Sequence, residues 1–118
     1  MWYWHNISVS EHTGTHFDAP IHWVSGKDLP NNTVDTIPAE DFIAHVCVVD
    51  CSKEVAADRD FLLTKSFLLD WEKTHGKIPA GSWLFLRSDW LKIADPKNYA
   101  NMQENGPHHP GPDGECVE

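Results

Sequence analysis

The sequence predicts an α/β fold in which short helices accompany a mixed sheet. Two apolar runs, Val46–Asp50 and Trp83–Leu86, are typical of strands. Between them, large apolar side chains recur at helical spacing behind a residue suited to begin a helix. This order of elements predicts a strand–helix–strand core.

The N-terminal part of the chain predicts extended backbone interrupted by turns. Four large apolar residues suggest that one face of the first segment is packed: Trp2, Trp4, Ile7 and Val9. Gly14 and Pro20 interrupt the backbone after it, so we expect the nearby histidines on a strand, a tight turn and the start of the next extended piece. A loop that contains Gly26 follows.

The central part of the chain contains the clearest helix and strand signals. Pro38 is placed to begin a short helical turn. The continuous β-branched run Val46–Asp50 is expected of a strand buried on both faces, and Trp83–Leu86 of a second buried strand. Thr64 is a plausible N-cap and Gly76 a plausible end for the helix between them. Three apolar residues lie on one face of that helix: Phe67, Leu68 and Trp71.

The length of 118 residues fits one small domain. Residues 94–118 are rich in proline, asparagine and glycine and predict an irregular segment. That segment ends at a helix start, formed by Pro112 and Asp113, just before the chain stops. We therefore expect residues 1–118 to form a single partial domain. A fragment, a truncated gene product and half of an assembly all stay open.

Charge and cysteine content exclude several classes of protein. The net charge of −9 disfavours a nucleic-acid or anionic-membrane partner. There is no signal-peptide pattern and no apolar run that could span a bilayer, so we expect a cytoplasmic protein. Cys47, Cys51 and Cys116 match neither a zinc-knuckle spacing nor an even disulfide set, which predicts ordinary thiols in a reducing compartment.

The segment Glu11–Trp23 is the densest in groups that perform chemistry. His12, His16 and Asp18 are typical ligands of zinc or manganese, and three ligands leave a position open for water or substrate. His22 is left as a proton carrier. From spacing alone, the alternative stays open that two histidines and an aspartate occur in a turn by chance.

The segment His12–His22 resembles a known family. It matches every fixed position of the signature His-x-Gly-Thr-His-x-Asp-x-Pro-x-His of the cyclase superfamily, which includes bacterial kynurenine formamidases and isatin hydrolases. Further stretches look most like the isatin hydrolase branch, so that the resemblance covers nearly the whole chain: Trp23–Asp28, Val49–Glu54, Ala57–Asp58, Phe61–Thr64 and Gly106–Pro112.

The resemblance implies a metal-dependent amide hydrolase of the swivelling β/β/α fold, usually a homodimer or higher oligomer. By matched motif, His12, His16 and Asp18 would bind Mn²⁺ or Zn²⁺, and His22 would be the catalytic acid/base. Family substrates are small aromatic amides such as N-formylkynurenine and isatin. Full members of the family are much longer than this chain. The competing hypothesis is therefore a metal-binding or partner-binding remnant without catalytic activity.

Two tryptophans are candidates for a substrate pocket. Trp23 directly follows the signature. Trp90 ends an Arg87–Trp90 stretch similar to one in isatin hydrolases, and core packing is its alternative role. His108 and His109 lie in a loop rich in proline and glycine, where they either approach the site or belong to the surface.

Overall fold

The protein is described from a computed structural model. The described residues are 1–23 and 27–117, so the loop residue Gly26 and part of the Trp23–Asp28 stretch lie outside them, as does Glu118. The chain divides into two compact units, Met1–Ile43 and Ala44–Glu118. No helix in the described part of the chain is long and apolar enough to cross a membrane.

The described residues of the first unit contain turns and two short 3₁₀ helices, Pro20–His22 and Ala39–Phe42. The second of these is the helical turn expected after Pro38. The prediction of a packed face near the N-terminus is wrong, because Trp2 is 91% and Ile7 83% exposed. The apolar pattern reports a preference for burial, but burial also needs a neighbouring element to cover the side chains.

The second unit is built on a pair of parallel strands, β1 (Val46–Asp50) and β3 (Trp83–Arg87). They are connected through α1 (Ser52–Ala57), β2 (Leu62–Leu63) and α2 (Lys65–His75). The predicted strand–helix–strand core is therefore confirmed. Parallel strands require such a crossover, because a tight turn can only connect antiparallel ones.

The boundaries of α2 agree with the sequence signals. The Thr64 hydroxyl accepts a hydrogen bond from the backbone N–H of Phe67 at 3.2 Å, which satisfies one free donor of the first turn. Gly76 follows the last helical residue with φ of 94°, a conformation that glycine adopts without a Cβ penalty. The predicted apolar residues Phe67, Leu68 and Trp71 pack against the core.

Within the described residues of the second unit, only one face of the strand pair is covered, so the prediction of strands buried on both faces is wrong. Val49 is fully buried and Leu86, opposite it in the register, packs against the same core. Val48 and Phe85, also opposite each other, are 50% and 52% exposed. Since alternate residues of a strand point to opposite faces, the second face of the pair is left apolar and open.

The C-terminal segment contains several short elements. A one-turn helix, α3 (Pro96–Ala100), precedes the antiparallel pair β4 (Met102–Gln103) and β5 (Gly106–Pro107). The strand β6 (Gly111–Pro112) pairs in parallel with β2. At the predicted helix start, Asp113 caps a single 3₁₀ turn, Gly114–Cys116, by accepting a hydrogen bond from the Cys116 N–H at 2.7 Å. The predicted short helices are thus present. In place of the predicted mixed sheet, the described strands form three separate two-stranded sheets, two parallel and one antiparallel.

Candidate metal centre

The predicted ligands lie on turns and irregular backbone. His12 is in a turn at Glu11–His12, bends follow, and residues 16–19 have no regular structure. The expected strand is absent from residues 11–19. Gly14 has φ of 70°, in the left-handed region that favours glycine, and this reverses the chain between His12 and His16.

One nitrogen each of His12 and His16 and one oxygen of Asp18 converge in a small triangle. His12 Nδ1 lies 3.0 Å and His16 Nε2 3.2 Å from Asp18 Oδ1. The two imidazole nitrogens are 3.1 Å apart. Ligand atoms bound at about 2.1 Å from one ion lie about 3.0 Å apart in an octahedral site and about 3.4 Å apart in a tetrahedral one. The triangle therefore fits a divalent ion.

Asp18 supplies a second sign that the triangle suits a cation. Its Oδ1 atom is buried and accepts no hydrogen bond within the described part of the chain, although two imidazole nitrogens lie close to it. The short distances and the missing hydrogen bond are compatible, because a hydrogen bond also requires a donor pointing at the acceptor. A buried carboxylate oxygen without a donor is costly, and a cation would satisfy it.

His16 is held by its other ring nitrogen. Nδ1 lies 2.8 Å from the carbonyl oxygen of Gly14. A carbonyl can only accept, so Nδ1 donates, and in the neutral imidazole Nε2 keeps the lone pair that a metal ligand needs. This is the usual arrangement of metal-binding histidines, whose second nitrogen donates to a carbonyl or carboxylate.

His22 lies beside the triangle on a separate element. It is the last residue of the 3₁₀ helix Pro20–His22, whose first hydrogen bond runs from the His22 N–H to the Ala19 carbonyl at 2.9 Å. Its ring centroid is 4.4 Å from that of His12. Potential ligand atoms of His12, Asp18 and His22 all lie within 4.8 Å of one another. By position, His22 could therefore bind an ion together with His12 and Asp18, and it is also close enough to exchange protons with a group held at the triangle.

A cavity of about 790 Å³ opens beside these residues. Besides His12, Asp18 and His22, seven residues that were not predicted as site residues line it. Four belong to the segment Glu11–Trp23 and three to a later turn: Glu11, Phe17, Ala19, Ile21, Thr33, Val34 and Asp35. A backbone hydrogen bond from Ile21 N–H to Asn32 carbonyl at 3.0 Å brings the later turn to the signature. Phe17 could have been found from its place between two predicted ligands. No local signal marks residues 33–35.

Trp23 contacts the site through His22. The two rings meet edge to face with centroids 5.1 Å apart, and Trp23 is 58% exposed. Among the described residues, Trp23 is not part of the cavity wall. Its assignment to a substrate pocket stays a prediction.

Trp90 belongs to the core of the second unit, in agreement with the core-packing alternative. It is 9% exposed, and its Nε1–H donates to the Tyr99 carbonyl at 3.0 Å. The Arg59 guanidinium lies over its ring, 4.8 Å from the centroid. Its role as a substrate contact stays a prediction.

His108 and His109 make contacts inside the second unit. His108 Nδ1 is 3.0 Å from an Asp60 carboxylate oxygen, and its Nε2 is 2.8 Å from the Asn105 side-chain oxygen. His109 Nε2 donates to the Tyr99 carbonyl at 3.2 Å. Both imidazoles thus have structural partners.

Comparison with known proteins places the whole chain beside one group of enzymes. A family model described as "Putative cyclase" matches residues 1–118. The isatin hydrolase of Roseibium aggregatum is 49% identical over 116 residues, which are 98% of this chain and 44% of that protein. Isatin hydrolase A from Labrenzia aggregata, solved with benzyl benzoate, superposes with a TM-score of 0.91 at 55% identity over 98% of this chain and 45% of that one.

A further solved structure, an isatin hydrolase with the product analogue thioisatinate, gives a TM-score of 0.88 at 50% identity, over 93% of this chain and 42% of that one. The chain therefore spans less than half the length of these relatives.

Proposed function

The chain belongs to the cyclase family, and from this premise we propose that it carries the metal centre of a hydrolase that opens the C–N bond of isatin-like aromatic amides. The observation that supports this most directly is the triangle of His12, His16 and Asp18 atoms, 3.0 to 3.2 Å apart, inside a complete family signature. The 49% identity to an isatin hydrolase supports the substrate class.

We assign the ion as Zn²⁺ or Mn²⁺ and its ligands as His12 Nδ1, His16 Nε2 and Asp18 Oδ1. Two imidazoles and one carboxylate suit either metal. When bound, the ion would polarise the amide carbonyl and lower the pKa of a water molecule towards neutrality. The residues of this chain then have to hold the ion and move protons around it.

His22 is the proposed acid/base. Its ring stacks obliquely on that of His12 and lines the cavity in which a substrate would lie. A ring nitrogen there can accept the proton of the attacking water and return it to the leaving amide nitrogen. In isatin this nitrogen stays attached to the product, since the cleaved bond is part of a ring.

The cavity supports a small aromatic substrate. Its volume of about 790 Å³ lies within the range of about 300–1,000 Å³ typical of small-molecule sites. Phe17, Ile21 and Val34 supply apolar wall, while Asp18 and His22 supply polar groups at one place. We propose isatin as the first substrate to test and N-formylkynurenine as the second. Trp23 and Trp90 are proposed as further substrate contacts.

The remaining proposals concern the whole protein. We propose a swivelling β/β/α fold, of which residues 1–118 form a single partial domain, in a cytoplasmic homodimer or higher oligomer. Light scattering of the purified chain would give the oligomeric state directly. Since the chain spans less than half of its relatives, its own turnover rate is a separate question from the presence of the metal centre.

The deciding experiment compares the purified chain with its His22→Ala variant. Metal content is measured by elemental analysis after equilibrium dialysis against Zn²⁺ or Mn²⁺, and isatin hydrolysis is followed on the loaded protein. We expect His22→Ala to retain the metal and to lose roughly 10²–10⁴-fold in turnover. His5→Ala is the matched control, because His5 is exposed and its ring contacts Tyr3 outside the triangle.

Each outcome separates the hypotheses. Unchanged turnover in His22→Ala would contradict the role of His22. Metal binding by the chain without turnover, while a longer chain is active, would favour the metal-binding remnant. Negligible binding of either metal at neutral pH would contradict the metal centre.

A further inference from the structure

The backbone conformation at position 14 favours glycine, whereas the space around Gly14 would accommodate a side chain. Its φ is +70°, and a Cβ built on it would meet no atom within 4 Å. A side chain would therefore find open space, and the cost of replacing Gly14 comes from the left-handed backbone itself. A substitution here changes the backbone preference with little other disturbance.

The left-handed turn has a direct consequence for His16. The Gly14 carbonyl points back to the imidazole and accepts its Nδ1–H at 2.8 Å. In the neutral imidazole Nε2 then carries the lone pair, and this is the atom that lies 3.2 Å from Asp18 Oδ1 and 3.1 Å from His12 Nδ1. The tautomer that the carbonyl selects is thus the one that aims a lone pair at the other two ligand atoms.

We propose that Gly14 is a positioning residue, whose left-handed backbone aims its carbonyl at His16 and so holds the imidazole in the tautomer and orientation that bind the metal. This inference rests on the proposed metal centre. On this proposal, the geometry of the metal ligands depends on one backbone conformation as well as on the three side chains that would bind the ion.

Two substitutions at Gly14 separate backbone conformation from the mere presence of a side chain. Alanine resists the left-handed region, whereas asparagine visits it readily. Asn31 and Asn101 of this chain have φ of 52° and 40°. Gly81→Ala is the matched control, because Gly81 has φ of +76°, a Cβ there would also meet no atom, and it belongs to the second unit.

The test measures the dissociation constant of Zn²⁺ for the full chain and, without metal, the His16 tautomer by ¹⁵N NMR of the histidine rings. We expect Gly14→Ala to weaken zinc binding by about 10–100-fold, the usual effect of losing a group that orients a ligand. In the same variant His16 should become a mixture of the Nδ1–H and Nε2–H tautomers. Gly14→Asn should stay close to the wild type in both measurements. Gly81→Ala should lower the melting temperature about as much as Gly14→Ala while leaving zinc affinity unchanged.

The outcomes distinguish this inference from the function on which it rests. Zinc binding by the wild type with equal affinity in Gly14→Ala would overturn the positioning role and leave the metal centre standing. An Nε2–H tautomer of His16 in the wild type would also overturn it. A wild-type chain that binds no zinc would overturn the metal centre, and the positioning role with it.

Discussion

Oδ1 of Asp18 lies 3.0 Å from Nδ1 of His12 and nevertheless accepts no hydrogen bond within the described residues. Such an oxygen is better matched to a cation than to a donor, which predicts that Asp18 is essential for metal binding. We expect Asp18→Asn to weaken zinc binding by more than about 100-fold, because even the loss of a group behind a ligand costs about 10–100-fold. Equilibrium dialysis with elemental analysis measures this.

The matched control for Asp18 is Asp35→Asn. Asp35 lines the same cavity but is not one of the three residues of the triangle, so removing its charge tests the general effect of a carboxylate near the proposed ion. We expect its effect on zinc affinity to be small. Equal losses in the two variants would contradict a specific role of Asp18.

The thiol of Cys51 should make the free energy of unfolding depend on pH in the alkaline range. Burial, aided by the nearby Glu54 and Asp50 carboxylates, raises its pKa from 9.0 to about 11. The folded protein therefore keeps the proton more tightly than the unfolded chain, and this contribution is complete below pH 9 and is lost as pH rises through about 11. The free energy of unfolding should fall more steeply across this window in the wild type than in Cys51→Ala.

Alkylation of native protein provides an independent readout for the cysteines. All three are free, and Cys51 is fully buried while Cys47 is half-buried. We expect iodoacetamide at pH 8.5 to modify Cys47 before Cys51, since the thiolate is the reactive form. Modification of Cys51 first, located by peptide mass spectrometry, would contradict its burial.

Trp90 should contribute strongly to stability through the core of the second unit. Trp90→Ala removes a buried indole and should lower the free energy of unfolding by about 3–5 kcal/mol. Trp90→Phe keeps most of the volume but loses the hydrogen bond to the Tyr99 carbonyl, so its effect should be smaller. Trp2→Ala is the control at a tryptophan that is 91% exposed, with an expected change within about 0.5 kcal/mol. Urea denaturation followed by circular dichroism measures all three.

The N-cap of α2 predicts that alanine substitution will change the free energy of unfolding differently at two threonines, Thr64 at the cap and Thr74 inside the helix. Thr64→Ala should destabilise the protein by about 1 kcal/mol, because the Phe67 N–H loses its acceptor, and Thr64→Ser should retain most of that energy. Thr74→Ala lies inside α2, where alanine has the higher helix propensity, and should be neutral or slightly stabilising. Equal destabilisation by Thr64→Ala and Thr74→Ala would contradict the cap.

Predictions from local signals agree with the structure where the cause lies within a few residues. Thr64 and Gly76 mark the ends of α2 because a cap acts on the nearest backbone groups. Predictions that depended on contacts with residues distant in sequence agree less well with the structure. Val48 and Phe85 belong to predicted strands, yet their face is open, because strand propensity does not decide which faces a neighbouring element covers.

The proposed metal centre shows the same division. The amino-acid sequence by itself determined which side chains can bind an ion, since two imidazoles and a carboxylate are chemical properties of His12, His16 and Asp18. Only the tertiary structure decided that Nδ1 of one histidine and Nε2 of the other meet Asp18, and that Thr33, Val34 and Asp35 close the cavity beside them. The reason is that ligand chemistry belongs to single residues, whereas convergence depends on backbone angles and on contacts between parts of the chain that are apart in sequence.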